Sequence, residues 1–141
     1  MPINAFFDIG KTLVRNSEWL PGSRACIYAL RLQGARLGII SNTGSMTRSE
    51  LAALLSNDFD FGHFHSSIVL LSSEVGLEKP DPRMFLRAIS ASASASQRCV
   101  FVGEDLEETW VAQSVGIRAI RVAHFPRDFD TITQLLRTEL H

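Results

Sequence analysis

Neither sign of charge dominates this sequence: 14 Lys and Arg stand against 15 Asp and Glu, a formal net charge of -1. Such a balance creates no broad positive field, so neither nucleic acid nor an anionic membrane is an expected partner. Cysteine is scarce. Cys26 and Cys99, in the contexts Arg-Ala-Cys-Ile-Tyr and Arg-Cys-Val-Phe-Val, read as small core residues rather than a disulfide framework, which points to a reducing compartment. Runs of about 18 apolar residues, the length a membrane span needs, are missing. The opening Met-Pro-Ile-Asn-Ala lacks the basic and apolar regions of an export signal, so a cytoplasmic location is the expectation. With these classes set aside, function has to reside in a local site.

What is present is the make-up of one globular domain spanning 1–141: 45% hydrophobic and 21% charged residues over 141 positions. A chain of this length buries roughly 68% of its unfolded surface, enough for a continuous core without covalent staples. Apolar, β-branched runs at Ile3–Phe7, Arg36–Ile40, Ser67–Leu71, Cys99–Val102 and Ile117–Val122 predict buried strands. Amphipathic stretches near Pro21–Gln33, Thr47–Ser56, Pro82–Ser92, Leu106–Val115 and Asp128–Leu140 predict helices between and after them. Strand followed by helix, five times, predicts an α/β fold: a three-layer, doubly wound parallel sheet of about five strands with helices on both faces. The alternating Ser and Ala of Ser90–Ser96 read as a helix end and surface connection. The connection Asp58–His65 reads as a loop docking Phe59, Phe61 and Phe64 on the core, since a metal at His63 and His65 would need further ligands at suitable spacing.

Doubly wound sheets bind ligands beyond the carboxyl ends of their strands. There the sequence places Asp8-Ile-Gly-Lys-Thr-Leu after the first strand and Ser41-Asn-Thr-Gly after the second. Gly76-Leu-Glu-Lys-Pro-Asp-Pro precedes a helix, and Gly103-Glu-Asp-Leu-Glu-Glu follows the fourth strand. Each group has an ordinary structural role open to it. Asp8 can cap a turn, Ser41 can satisfy a loop amide, Lys79 can be a solvated turn residue, and the acids from Glu104 to Glu108 can complement a helix dipole. Glu107 is read in that last way outright.

Taken in register, the four segments resemble the motifs of the haloacid dehalogenase-like (HAD) superfamily, in particular a subgroup without a cap domain. The resemblance implies a Rossmann-like core and a Mg²⁺-dependent phosphatase. It assigns Asp8 as the nucleophile forming an aspartyl-phosphate, Ser41 as a hydroxyl donor to the phosphoryl group, and Lys79 as the neutralising ammonium. Phosphate binding would fall to Ser41, Asn42, Thr43 and Lys79, and the metal to Asp8, the Gly10 backbone carbonyl, Glu104, Asp105 and Glu108. Phosphorylated small molecules or macromolecules are the implied substrates.

The chain departs from the family pattern in two places. Glu104 and Glu108 are longer than the usual aspartates, with Asp105 as an alternative ligand to Glu104. Gly10 occupies the position where most family phosphatases carry a second Asp as general acid and base, a loss that typically costs 10²–10⁴-fold in rate. Slow turnover, or a catalytically inactive binding module, is therefore expected, and Lys11 beside Gly10 leaves open whether its ammonium enters the site. A P-loop reading of Gly10-Lys11-Thr12 fails because Ala5 stands where the loop needs its first glycine. Carbon-centred dehalogenation by Asp8 stays open but lacks a lid to bury a small organic acid. Between Thr12 and the second strand there is room for one helix, and between Ser41 and Lys79 for a helix, a strand and connections. That leaves no cap, so a large substrate or a partner subunit would cover the site. A homo-oligomer is compatible with the sequence, though no interface residue stands out.

Overall fold

A computed structural model describes residues 2–55, 59–122 and 128–139. Five parallel strands form one sheet: β1 (Asn4–Phe7), β4 (Arg36–Ser41), β5 (Val69–Leu71), β6 (Cys99–Gly103) and β7 (Arg118–Arg121), in the spatial order β5-β4-β1-β6-β7. The predicted α/β class and parallel sheet are thus what the chain adopts. β1 is central and wholly buried, pairing Asn4 with Arg36 on one side and with Cys99 on the other. A strand covered on both faces has no polar side to show, which is why Asn-Ala-Phe-Phe does not alternate. Successive side chains still go to opposite faces: Phe6 joins the core with Met84, Phe85 and Phe101, and Phe7 the core with Ile27, Leu30 and Ile39.

The helices fall close to their predicted places: α1 (Ser23–Leu32), α2 (Arg48–Leu54), α4 (Pro82–Ser92), α5 (Leu106–Ser114) and α6 (Phe129–Glu139). α1 starts later than the apolar pattern suggested, because Gly22 lies at φ 84°, in left-handed backbone that cannot continue a helix. Thr47 and Glu50 close a capping box on α2, and Asp81 followed by Pro82 starts α4. The Ser/Ala tract carries the end of α4, which stops at Ala93 in left-handed backbone, and a short 3₁₀ turn at Ser96–Arg98. The predicted strand from Ser67 is shortened, since Ser66–Ile68 forms a 3₁₀ turn before β5. The expected ends at Ser56 and Leu140, and Asp58, lie outside the described residues.

Two elements were not foreseen. The stretch expected to hold a single helix also contains a small hairpin, β2 (Val14–Arg15) and β3 (Glu18–Trp19). Its turn residues Asn16 and Ser17 both have positive φ, 52° and 65°, as a two-residue type I′ connection requires. A one-turn helix, α3 (Ser72–Val75), follows β5 directly. The aromatic connection behaves as expected: Phe59 and Phe64 are buried, and Phe59 packs on Trp19 of the hairpin at 5.1 Å. His63 meets Tyr28 Oη at 3.0 Å and His65 meets Ser67 at 2.7 Å, so both histidines have local partners. Cys26 and Cys99 are buried free thiols, and burial pushes both pKa values up. Among the described residues no helix is long and apolar enough to cross a membrane.

Candidate active site

β1 delivers Asp8 to the sheet's carboxyl edge, where its backbone N–H donates to the Val102 carbonyl of β6 at 3.0 Å. The chain then turns sharply, with the amides of Thr12, Leu13 and Val14 all directed at the Ile9 carbonyl. One Asp8 oxygen, Oδ1, accepts from the Ile9 amide at 2.9 Å and lies 2.9 Å from Lys79 Nζ. The same ammonium is 2.9 Å from Glu108 Oε1, so Lys79 bridges two carboxylates from different segments. Only 2% of the Lys79 side chain is exposed, against 14% for Asp8 and 17% for Glu108. The ring of Phe101 lies under Nζ, 5.3 Å away at its centroid, and completes the lysine's enclosure.

Local chemistry holds each partner. Asn42, just past β4, accepts from the Lys79 amide at 2.8 Å and donates to the Lys79 carbonyl at 2.9 Å, clamping that backbone from both sides. Glu108 sits in the first turn of α5, and its amide donates to Asp105 Oδ1, the helix N-cap, at 2.9 Å. Burial pushes the Glu108 carboxyl above its ordinary range. The Lys79 ammonium pulls it back only in part, and the charges of Asp8 and Asp105 push it further up. Glu108 Oε1 is buried, and the Lys79 ammonium 2.9 Å away is its charged partner.

Asp8, Lys79 and Glu108 are therefore brought together. Ser41, Asn42 and Thr43 line a cleft of about 240 Å³ with Gly10, the hairpin tip Asn16 and Ser17, and the α2 leucines. Ser41 is 6% exposed and Thr43 4%. Thr43 is anchored internally: its amide donates to Ser72 Oγ at 2.7 Å, and its hydroxyl accepts from the Ser73 amide at 3.1 Å. Glu104 and Asp105 instead line a larger hollow of about 810 Å³ between α5 and β7, beside Trp110 and Arg121. Glu107 is exposed on the first turn of α5. Lys11 is exposed with left-handed backbone at φ 61°. Ala5 lies inside β1, so no phosphate-cradling loop precedes Gly10. Ser72, Ser73 and the hairpin tip were not singled out from sequence; Asn16-Ser17 between two short apolar-ended pairs was the available signal for the tip.

The haloacid dehalogenase-like hydrolase profile matches residues 5–116, a span that contains every residue of this constellation. The chain belongs to that family. It is 31% identical over 102 residues to a glyceraldehyde 3-phosphate phosphatase of Pyrococcus abyssi, a match covering 72% of this chain and 41% of the relative. It is 32% identical over 104 residues to a phosphoserine phosphatase of Thermus thermophilus, covering 72% and 39%. The matched region is thus about two fifths of the length of these relatives. Among solved structures, a HAD-family enzyme from Bacteroides thetaiotaomicron in complex with magnesium and inorganic phosphate superposes with a TM-score of 0.74 at 12% identity, covering 94% of this chain and 99% of that one. That likeness is one of fold.

The donor set bears on whether a divalent cation fits this family member. Among the described residues no group of three or more His, Cys, Asp and Glu side chains is gathered for a metal. Two carboxylates, Asp8 and Glu108, do converge on Lys79, and the buried Glu108 Oε1 has no well-aligned donor among the described residues. With one cation between two anions, the trio carries a formal charge of -1, repulsive to a phosphate. Hard oxygen donors, with backbone carbonyl and water completing the shell, suit Mg²⁺ in such a place.

Proposed function

We propose that this chain is a HAD-type phosphohydrolase in which Asp8 attacks the phosphorus of a phosphate monoester, displacing the alcohol and forming an aspartyl-phosphate that water then hydrolyses. The observation that carries this reading is the buried Lys79 ammonium held 2.9 Å from both Asp8 and Glu108 at the strand ends. Lys79 holds the attacking carboxylate in place across 2.9 Å and offers charge to the phosphoryl oxygens as negative charge builds. Ser41 supplies a hydroxyl to the same oxygens. Asn42 and Thr43 act by position, one fixing the Lys79 backbone and the other fixing the loop. Mg²⁺ would be held by Asp8, the Gly10 carbonyl and Glu108, with Glu104 or Asp105 reached through the shell, and when bound it supplies the charge neutralisation a phosphate dianion needs.

Gly10 has no proton to give the leaving alcohol, so turnover is slow and favours esters with good leaving groups. The relatives' activities support phosphorylated small molecules as the substrate class. Residues 1–141 are read as a single core domain with no cap inserted between Thr12 and Lys79, which leaves the site open to solvent. A second reading, a HAD-fold binding module without turnover, is favoured by one observation: no three-residue metal cluster forms among the described residues. Hydrolysis of p-nitrophenyl phosphate with Mg²⁺ separates the two. Turnover that Asp8→Asn abolishes supports the enzyme; absence of turnover at high enzyme concentration supports the module.

A further inference from the structure

The cleft beside Asp8 carries a chemical signature that the phosphatase reading leaves unused. It begins at Gly10 and Ser41, where the phosphoryl group would sit, and extends between the hairpin tip and α2. Leu51, Leu54 and Leu55 form one wall; the amide and hydroxyl side chains of Asn16 and Ser17 stand on another. Among the described residues, none that lines it is ionisable. Arg48, the nearest basic residue on α2, is engaged by Glu74 at 2.6 Å.

We infer that this cleft receives the alcohol part of the ester and selects an uncharged, short one: a phosphomonoester of a neutral three- or four-carbon hydroxy or carbonyl compound. The inference rests on the phosphatase reading and narrows it. A volume of about 240 Å³ lies below the roughly 300–1,000 Å³ of pockets that take drug-sized ligands, and admits such a unit. Hydroxyls on the ligand meet Asn16 and Ser17, while its carbon skeleton covers the leucines. A charged tail fares worse for a physical reason. Entering the cleft takes water from an ammonium or carboxylate, and the described lining returns no counter-ion, a penalty that falls on the charged ester alone.

The test compares three esters of similar size: glycerol 3-phosphate, 3-phosphoglycerate and phosphoethanolamine. Turnover is measured with the Mg²⁺-loaded wild-type protein, and affinity by calorimetric titration of the Asp8→Asn variant, which reports binding without chemistry. The neutral ester is expected to lead both charged ones by on the order of tenfold in kcat/KM and in affinity. Leu54, at the exposed rim of α2, tolerates Leu54→Lys, which should narrow the gap for 3-phosphoglycerate severalfold and leave phosphoethanolamine disfavoured. Equal or better use of a charged ester, with p-nitrophenyl phosphate still hydrolysed, overturns the cleft assignment and spares the phosphatase reading. If nothing is hydrolysed, the phosphatase reading fails; a neutral-first ranking in the titration then still upholds the cleft, and no binding of any ester overturns it.

Discussion

Replacing Lys79 with Met tests how the site is held together. The substitution keeps an unbranched apolar stem as far as Cε but deletes the ammonium between two carboxylates. At 2.9 Å and an effective dielectric near 20, each contact is worth roughly 6 kcal/mol of gross attraction, most of it offset by desolvating a lysine that is 2% exposed. Removing one member of a buried ion pair typically costs 3–5 kcal/mol. The residual exposure of Asp8 and Glu108 lets water soften this, so about 3 kcal/mol is expected near neutral pH. The loss should also depend on pH. Glu108 already lies above its ordinary pKa by burial, and losing Lys79 removes the influence that pulled it down. In the window between the ordinary glutamate pKa and the raised one, the folded variant holds a proton that the unfolded chain releases, so its stability rises as pH falls. Urea unfolding followed by circular dichroism near pH 8 and near pH 5 reads both effects. The deficit should shrink toward acid, and Glu108→Gln in the Lys79→Met background should recover part of it. A loss under about 1 kcal/mol at pH 8, or the same loss at both pH values, would refute the reasoning.

Further outcomes follow from single positions. A Cβ placed on Gly10 meets nothing within 4 Å, so Gly10→Asp fits without strain and should raise p-nitrophenyl phosphate turnover by about 10²-fold or more, read in initial rates. Asn42→Ala removes both hydrogen bonds clamping the Lys79 backbone; kcat should fall about tenfold with KM nearly unchanged, in a steady-state assay on the same ester. Gly38→Ala would set a methyl 2.6 Å from the Ile68 carbonyl and 2.8 Å from Phe6, costing about 2 kcal/mol or more in a denaturant titration. Mg²⁺ at a hundred times its Kd should raise stability by about 2.7 kcal/mol, and Glu108→Gln should abolish that gain while leaving the metal-free protein as stable as wild type or more so.

The sheet was legible because its strands are long enough to show themselves: Phe6, Phe7, Ile39, Ile40, Phe101 and Val102 form uninterrupted apolar runs that only a strand buried on both faces explains. The β2–β3 hairpin and α3 were not, since two-residue strands and a four-residue helix are too short to repeat a hydrophobic period. At the site, residue types pointed to Asp8, Lys79 and Glu108 as candidates, but nothing in one dimension says that a single ammonium spans both acids. That geometry depends on Asn42 gripping the backbone around Lys79 and on Asp105 capping α5 so that Glu108 turns toward the sheet edge. Asp105 has an ordinary helix-capping role that its neighbours in the acidic run obscured. Thr43 likewise is tied to Ser72 and Ser73, thirty residues away in sequence, a partnership no local pattern announces.

The central claim is that the Asp8 carboxylate itself becomes phosphorylated. Rapid mixing of the Mg²⁺-loaded protein with p-nitrophenyl phosphate, acid quenching, borohydride reduction and peptide mass spectrometry would read it directly. Conversion of residue 8 to homoserine, missing from the unreacted control and from Asp8→Asn, is the predicted result. Turnover with residue 8 unmodified, or hydrolysis that survives Asp8→Asn, would contradict the account.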